Sequence, residues 1–184
     1  MARTPSNMLP LGTELPSVKL PDGAGDVYNI HDNLKQNGLL VMFICNHCPF
    51  VLHIADFLSP MALELSKLGV GSVAISSNDV IQHPDDAPSK MVAFAAQHNF
   101  PFPYLYDESQ DVARAFDAAC TPDFYLFNGE GKLVYRGQID SARPGNDEPV
   151  NGVDLLAAAR ALAEGGEINP AQRPSLGCNI KWKV

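Results

Sequence analysis

Leu39-Leu40-Val41-Met42-Phe43-Ile44-Cys45-Asn46-His47-Cys48-Pro49-Phe50 is the stretch on which the fold turns. Its first six residues are uniformly apolar, the pattern of a strand buried on both faces at the centre of a parallel sheet. Pro49 suits the first turn of a helix, where its missing N–H would have no partner in any case. Beyond it Val51, Leu52, Ile54, Ala55, Phe57, Leu58, Met61, Leu65 and Leu68 recur every three to four residues. That spacing predicts a helix over 49–67, kinked or broken at Pro60. Cys45 and Cys48 therefore stand at the junction between a buried strand and a helix N-terminus.

Outward from this junction the pattern alternates. Upstream, residues 1–15 read as a loosely ordered lead-in. Ser17–Leu20 and Val27–Ile30 read as a hairpin around the Pro21-Asp22-Gly23 turn. Downstream, Val70–Ser76 is a second buried strand, and a helix is expected from about Asp85 to His98. A short extended segment at 102–106 and a short helix at 109–118 follow. Phe124–Phe127 and Leu133–Arg136 form an antiparallel hairpin across Asn128-Gly129-Glu130-Gly131. Val153–Glu164 is a helix stopped by Gly165-Gly166. The order predicts an α/β fold: a central mixed sheet with helices on both faces and an N-terminal β-hairpin extension.

The 184 residues suit a single domain, 1–184, with residues 166–184 as a tail packed on it. Thirteen basic against twenty-one acidic side chains leave a net charge of −8, which repels phosphate backbones and anionic lipids. Nucleic acid and membrane are accordingly not expected as partners. No apolar run of signal-peptide length follows Arg3, and none approaches the roughly 20 residues of a membrane helix, so a cytoplasmic location is expected. Four cysteines are too few for a disulfide scaffold, which leaves chemistry, metal or plain burial for the Cys45–Cys48 pair.

A thiol at a helix N-terminus meets free N–H donors and partial positive charge, and both stabilise a thiolate. Cys45 is expected to be the nucleophile, its pKa drawn below the free value of about 8.5. Cys48 is then the resolving thiol, and His47 between them adds stabilisation. Protein or small-molecule disulfides and thiols are the matching partners. A metal reading draws on Cys45, His47, Cys48 and His53 as zinc or copper ligands. Against it, the sequence has no second CxxC and no HxxxH, so no metal and no cofactor are expected.

Phe43–Phe50, the run Cys120-Thr121-Pro122-Asp123-Phe124-Tyr125-Leu126-Phe127 and the turn and strand Gly129–Gly137 together resemble the thioredoxin superfamily. The likeness is strongest to its redoxin branch, the alkyl hydroperoxide reductase and thiol-specific antioxidant (peroxiredoxin-like) proteins, and spans about residues 10–165. It implies a thioredoxin-like fold and thiol–disulfide oxidoreductase activity. It also implies a cis Thr121–Pro122 bond facing the cysteines, with the Thr121 backbone offered to substrate. Departures from the pattern are specific. Ile44 stands where thioredoxins carry Trp, and Leu39 where they carry a buried acid. Cys45 stands where the peroxiredoxin motif carries Thr, with Arg136 or Arg143 as the arginine that motif needs. Thiol peroxidase activity is therefore the alternative, and a metal-binding thioredoxin-like module a further one.

Cys120 and Cys178 lie outside the motif. Either each is a small buried hydrophobe, or the two bridge as a secondary redox pair exchanging with Cys45–Cys48. His31, His83 and His98 read as surface or turn residues, and Asp107 and Asp140 as solvated or capping carboxylates.

Overall fold

Six consecutive residues with no exposed side chain, Gly38–Phe43, form the strand around which the molecule is built. The structure, a computed structural model, describes residues 3–184. In chain order the elements are β1 (Arg3–Pro5), β2 (Lys19–Pro21), β3 (Val27–Asn29), β4 (Gly38–Phe43) and α1 (Pro49–Lys67). Next come β5 (Val70–Ser76), α2 (Pro88–Gln97), β6 (Tyr104–Tyr106), α3 (Asp111–Ala115) and β7 (Cys120–Thr121). The chain continues through β8 (Asp123–Phe127), β9 (Leu133–Gly137), α4 (Val153–Ala163) and β10 (Leu176–Asn179).

The main sheet has the order β6-β5-β4-β8-β9. β4, β5 and β6 run parallel, β8 runs antiparallel to β4, and β9 antiparallel to β8, so the sheet is mixed. Alternation along β4 divides the core. Leu40 and Met42 face Val51, Leu58, Met91, Phe94, Leu155 and Ala159 from α1, α2 and α4. Leu39, Val41 and Phe43 face Ala113 of α3, the neighbouring Phe116, Leu9 and Leu15 from the lead-in, and Val18 and Ile30 from the hairpin region. Helices thus cover both faces in a thioredoxin-like α/β arrangement, and β2–β3 is the added N-terminal hairpin.

Four expectations change. α1 runs unbroken through Pro60, whose ring and whose i−4 residue, Asp56, are both exposed. The Asp56 carbonyl that lacks an amide partner can therefore meet water. α2 begins at Pro88, because a residue before proline is pushed to extended geometry and Ala87 sits at ψ 148°. Asp107 is buried rather than solvated, and its carboxylate accepts the Ala113 N–H at 2.9 Å, pinning the start of α3. The lead-in is not loose: β1 pairs with β10, and β10 pairs with β7, in a second sheet of order β1-β10-β7. The unpatterned tail thus supplies the central strand of that sheet.

Candidate active site

Cys45 follows the C-terminal end of β4, and Cys48 is the N-cap of α1 with extended geometry (φ −69°, ψ 125°). An N-cap stands beside the unpaired amides of the first turn. Pro49 has no amide to offer. The Val51 N–H faces the Cys48 sulfur, and the Phe50 N–H faces that of Cys178. Leu52 donates to the Cys48 carbonyl at 2.9 Å. The free amides of Phe50 and Val51 in the first turn of α1 thus face two sulfurs.

Cys178 reaches this position through β10, where it pairs in register with Thr121 on β7. Residues opposed in a register share a face, so Cys120, one residue before Thr121, points the other way. The side chains of Cys120 and Cys178 therefore do not face each other. The Sγ atoms of Cys48 and Cys178 lie 2.6 Å apart, whereas the Cys120 sulfur lies 3.7 Å from the Pro122 carbonyl oxygen. All four cysteines are free thiols, and each is at most 1% exposed.

The Thr121–Pro122 bond is cis. Thr121 touches both motif cysteines: its Oγ1 is 3.5 Å from Cys45 Sγ, and its carbonyl oxygen is 3.3 Å from Cys48 Sγ. Beside Pro122 a notch lined by Phe50, Phe124, Arg143 and Leu176 holds about 20 Å³. That is room for about one water, so a substrate must lie on this surface rather than inside it.

Cys45 sits under a polar cover. His47 Nδ1 is 2.7 Å from Asp86 Oδ2, and the His47 ring stacks on His83 at 5.7 Å between centroids. Asp86 is fully buried; it accepts the Asn46 N–H at 2.8 Å and the Asn78 amide at 2.9 Å. Tyr104 Oη donates to Asn46 Oδ1 at 2.9 Å, closing the network. Among the described residues His47 makes no hydrogen bond to a cysteine sulfur; its Nδ1 lies close to Asp86 but is buried without a hydrogen-bond partner.

These surroundings act in opposite senses on the two cysteines. The hydrogen bond to Cys48, burial and the Asp86 charge together push the Cys45 thiol well up. The Cys45 hydrogen bond, that of Cys178 and the Val51 and Cys178 amides outweigh burial and pull the Cys48 thiol down to about 5. Burial and the neighbouring Cys48 push Cys178 up to about 12. Burial also pushes Cys120 up. The shift is downward at Cys48 and upward at its two thiol neighbours, Cys45 and Cys178. The helix N-terminus acts as expected on a thiol, but on the cap residue rather than on the residue three positions earlier.

Cys45 Sγ, His47 Nδ1 and an Asp86 oxygen lie within 4.8 Å of one another, a set able to hold a metal ion. The Asp86 oxygens already accept two hydrogen bonds, from the Asn46 N–H and the Asn78 amide, and His53 is exposed on α1 outside this group. Of the two arginines considered for peroxide chemistry, Arg136 binds the Leu9 carbonyl and Gln172. Arg143 binds the Asp140 and Ala142 carbonyls and Gln138. Neither guanidinium is hydrogen-bonded to a cysteine. The sequence reading missed Asp86, Asn46, Tyr104 and His83. All four act through tertiary contacts, and only Asn46, inside the motif itself, carried any signal.

No helix among the described residues is long and apolar enough to cross a membrane. Among curated proteins, none matches the sequence. Among solved structures, an uncharacterized conserved protein from Geobacillus kaustophilus is 48% identical, with TM-score 0.96, over 100% of this chain and 97% of that one. A hypothetical protein from Sinorhizobium meliloti 1021 is 44% identical, with TM-score 0.95, over 98% of this chain and 99% of that one. At 17% identity the peroxidoxin BcpB from Mycobacterium tuberculosis shares the fold, with TM-score 0.62, over 84% of this chain and 96% of that one. The model of the AhpC/TSA family matches residues 11–136, from the lead-in through β9 and so across Cys45, Cys48 and the Thr121–Pro122 bond. The chain belongs to the AhpC/TSA family of thioredoxin-like redoxins.

Proposed function

We propose that the protein is a thiol–disulfide oxidoreductase that cycles Cys45 and Cys48 between dithiol and disulfide, with protein or small-molecule disulfides as oxidants. One observation carries this reading: the Cys48 sulfur meets the Val51 amide at the start of α1 and the Cys45 thiol at the same time. A thiolate is thereby formed next to a second thiol that can resolve it.

The Cys48 thiolate attacks one sulfur of a substrate disulfide, forming a mixed disulfide and expelling the other half as a thiolate, which takes a proton from water. Cys45 then loses its proton and attacks Cys48 Sγ. The Cys45–Cys48 bond forms, the mixed disulfide breaks, and the second substrate thiol leaves. Two electrons pass from protein to substrate. Thr121 and Pro122 line the approach, and the hydrogen bond to Cys48, burial and the Asp86 charge keep Cys45 protonated until it is needed. The same steps run backward when a dithiol reduces the pair. The reading places the protein in the cytoplasm, in line with a cysteine content too low for a disulfide scaffold.

Dithiothreitol-driven reduction of insulin disulfides tests it. The wild type should accelerate reduction, and Cys48→Ser should return it to the uncatalysed rate. A wild type no faster than dithiothreitol alone, and without a Cys45–Cys48 disulfide after oxidation, refutes the reading. Peroxide consumption is the family's other activity. Thr121 Oγ1 beside Cys45 is one polar group suited to it, but both candidate arginines are engaged elsewhere.

A further inference from the structure

Cys48 has a second thiol neighbour that the two-cysteine cycle does not use. Cys178 is nearly fully buried, its sulfur is 2.6 Å from Cys48 Sγ, and the Phe50 amide faces it just as the Val51 amide faces Cys48. Adjacent amides of one helical turn therefore serve the two sulfurs. The strand that carries Cys178 is paired on both sides, to β1 and to β7, so the thiol is held in place by backbone hydrogen bonds rather than by a loose tail. The separation is already close to the roughly 2.05 Å of a disulfide bond, so little movement is needed to reach it.

We propose that Cys178 is a third catalytic thiol, a second resolving cysteine that moves the disulfide from Cys45–Cys48 to Cys48–Cys178. The inference rests on the oxidoreductase reading above. In the transfer step the Cys178 sulfur, losing its proton, attacks Cys48 Sγ. The Cys48–Cys178 bond forms, the Cys45–Cys48 bond breaks, and Cys45 leaves as a thiolate that takes up the proton. No electrons are gained or lost, and no further reactant is needed. The outcome is an oxidised protein in which Cys45 is again a free thiol beside Thr121. The same attack on a Cys48 mixed disulfide resolves it without Cys45, releasing the substrate thiol.

The test oxidises the reduced protein with glutathione disulfide, quenches in acid, alkylates the remaining thiols and maps disulfide-linked peptides by mass spectrometry. Cys45→Ser should still lose two thiols and yield a Cys48–Cys178 peptide. Cys178→Ser should yield Cys45–Cys48 alone. The wild type should show both, with Cys48–Cys178 growing at the expense of Cys45–Cys48. The proposal is overturned if Cys45→Ser stops at a glutathione adduct on Cys48 with Cys178 still alkylated, or if the wild type shows Cys45–Cys48 only. If Cys178→Ser stays fully reduced while the wild type forms Cys48–Cys178, the Cys45–Cys48 cycle is what fails. The wild-type map needs no substitution, so it remains decisive should a variant fold poorly.

Discussion

Cys45, Cys48 and Cys178 lie together with Asp86 beside Cys45, and their charges order the reactivity. Cys48 lies against two thiols and faces two amides, while Cys45 faces Asp86. Because the thiolate is the reacting species, brief iodoacetamide treatment of the reduced protein at pH 6 should label Cys48 ahead of Cys45, Cys120 and Cys178. Mass spectrometry of the labelled peptides reads the order, and fastest labelling at Cys45 would return the nucleophile to that residue. Activity should fall as pH drops through about 5, where Cys48 takes up its proton. Asp86→Asn removes a negative charge that raises the Cys45 thiol, so the pH profile for alkylation of Cys45 should move to lower pH. An unchanged profile would mean that Asp86 acts on His47 alone.

At the scale of elements, β10 is the piece on which the third thiol depends. Gly177 packs its Cα against β7 so closely that an added Cβ would fall 1.9 Å from the Thr121 carbonyl oxygen. Gly177→Ala must therefore push β10 away, at a cost of roughly 1–3 kcal/mol or more. Urea unfolding should show the loss, and the yield of a Cys48–Cys178 disulfide should fall with it. Glycine inside a four-residue strand is also why this element escaped the sequence. Leu176-Gly177-Cys178-Asn179 has neither β-branched residues nor alternation, and its pairing partners lie far away in the chain. The same holds for β1, which contains Pro5 and only three residues. By contrast β4, β5, α1 and the β8–β9 hairpin were legible, because periodic apolar residues and a Gly-rich turn are local signals. At the site the cysteines and the Thr-Pro pair were legible as a motif. The assignment of charge between Cys45 and Cys48 was not, since it depends on Asp86, thirty-eight residues after Cys48, and on β10.

Across the whole molecule, Asp123 ties the two sheets together. It is fully buried, accepts from Ser6 Oγ at 2.7 Å and Tyr125 Oη at 3.0 Å, and Ser6 Oγ in turn accepts the Ser175 amide at 2.8 Å. Burial pushes its carboxyl up to about 6, despite these hydrogen bonds. A folded-state value above the unfolded one of about 3.9 means that the native protein holds this proton more tightly, so stability from this group declines as pH rises from about 4 through 6, by roughly 3 kcal/mol. Cys48 titrates in the opposite sense: its depressed value adds stability that is complete above the free-thiol range and lost as pH falls through about 5. In a Cys48→Ser background, therefore, denaturant midpoints should fall between pH 4 and 7, and Asp123→Asn should flatten that slope. The spacing of the thiols along the chain also sets an order of assembly. Cys45 and Cys48 become neighbours once a single helical turn forms, whereas Cys178 lies 130 residues beyond Cys48 and arrives only once β10 pairs with β7, and contacts of such long range form late. The sulfur–sulfur contact is thus a completion mark. In pulse-alkylation during refolding Cys178 should be the last thiol to become protected, and an oxidant met before that moment can trap only the local pair.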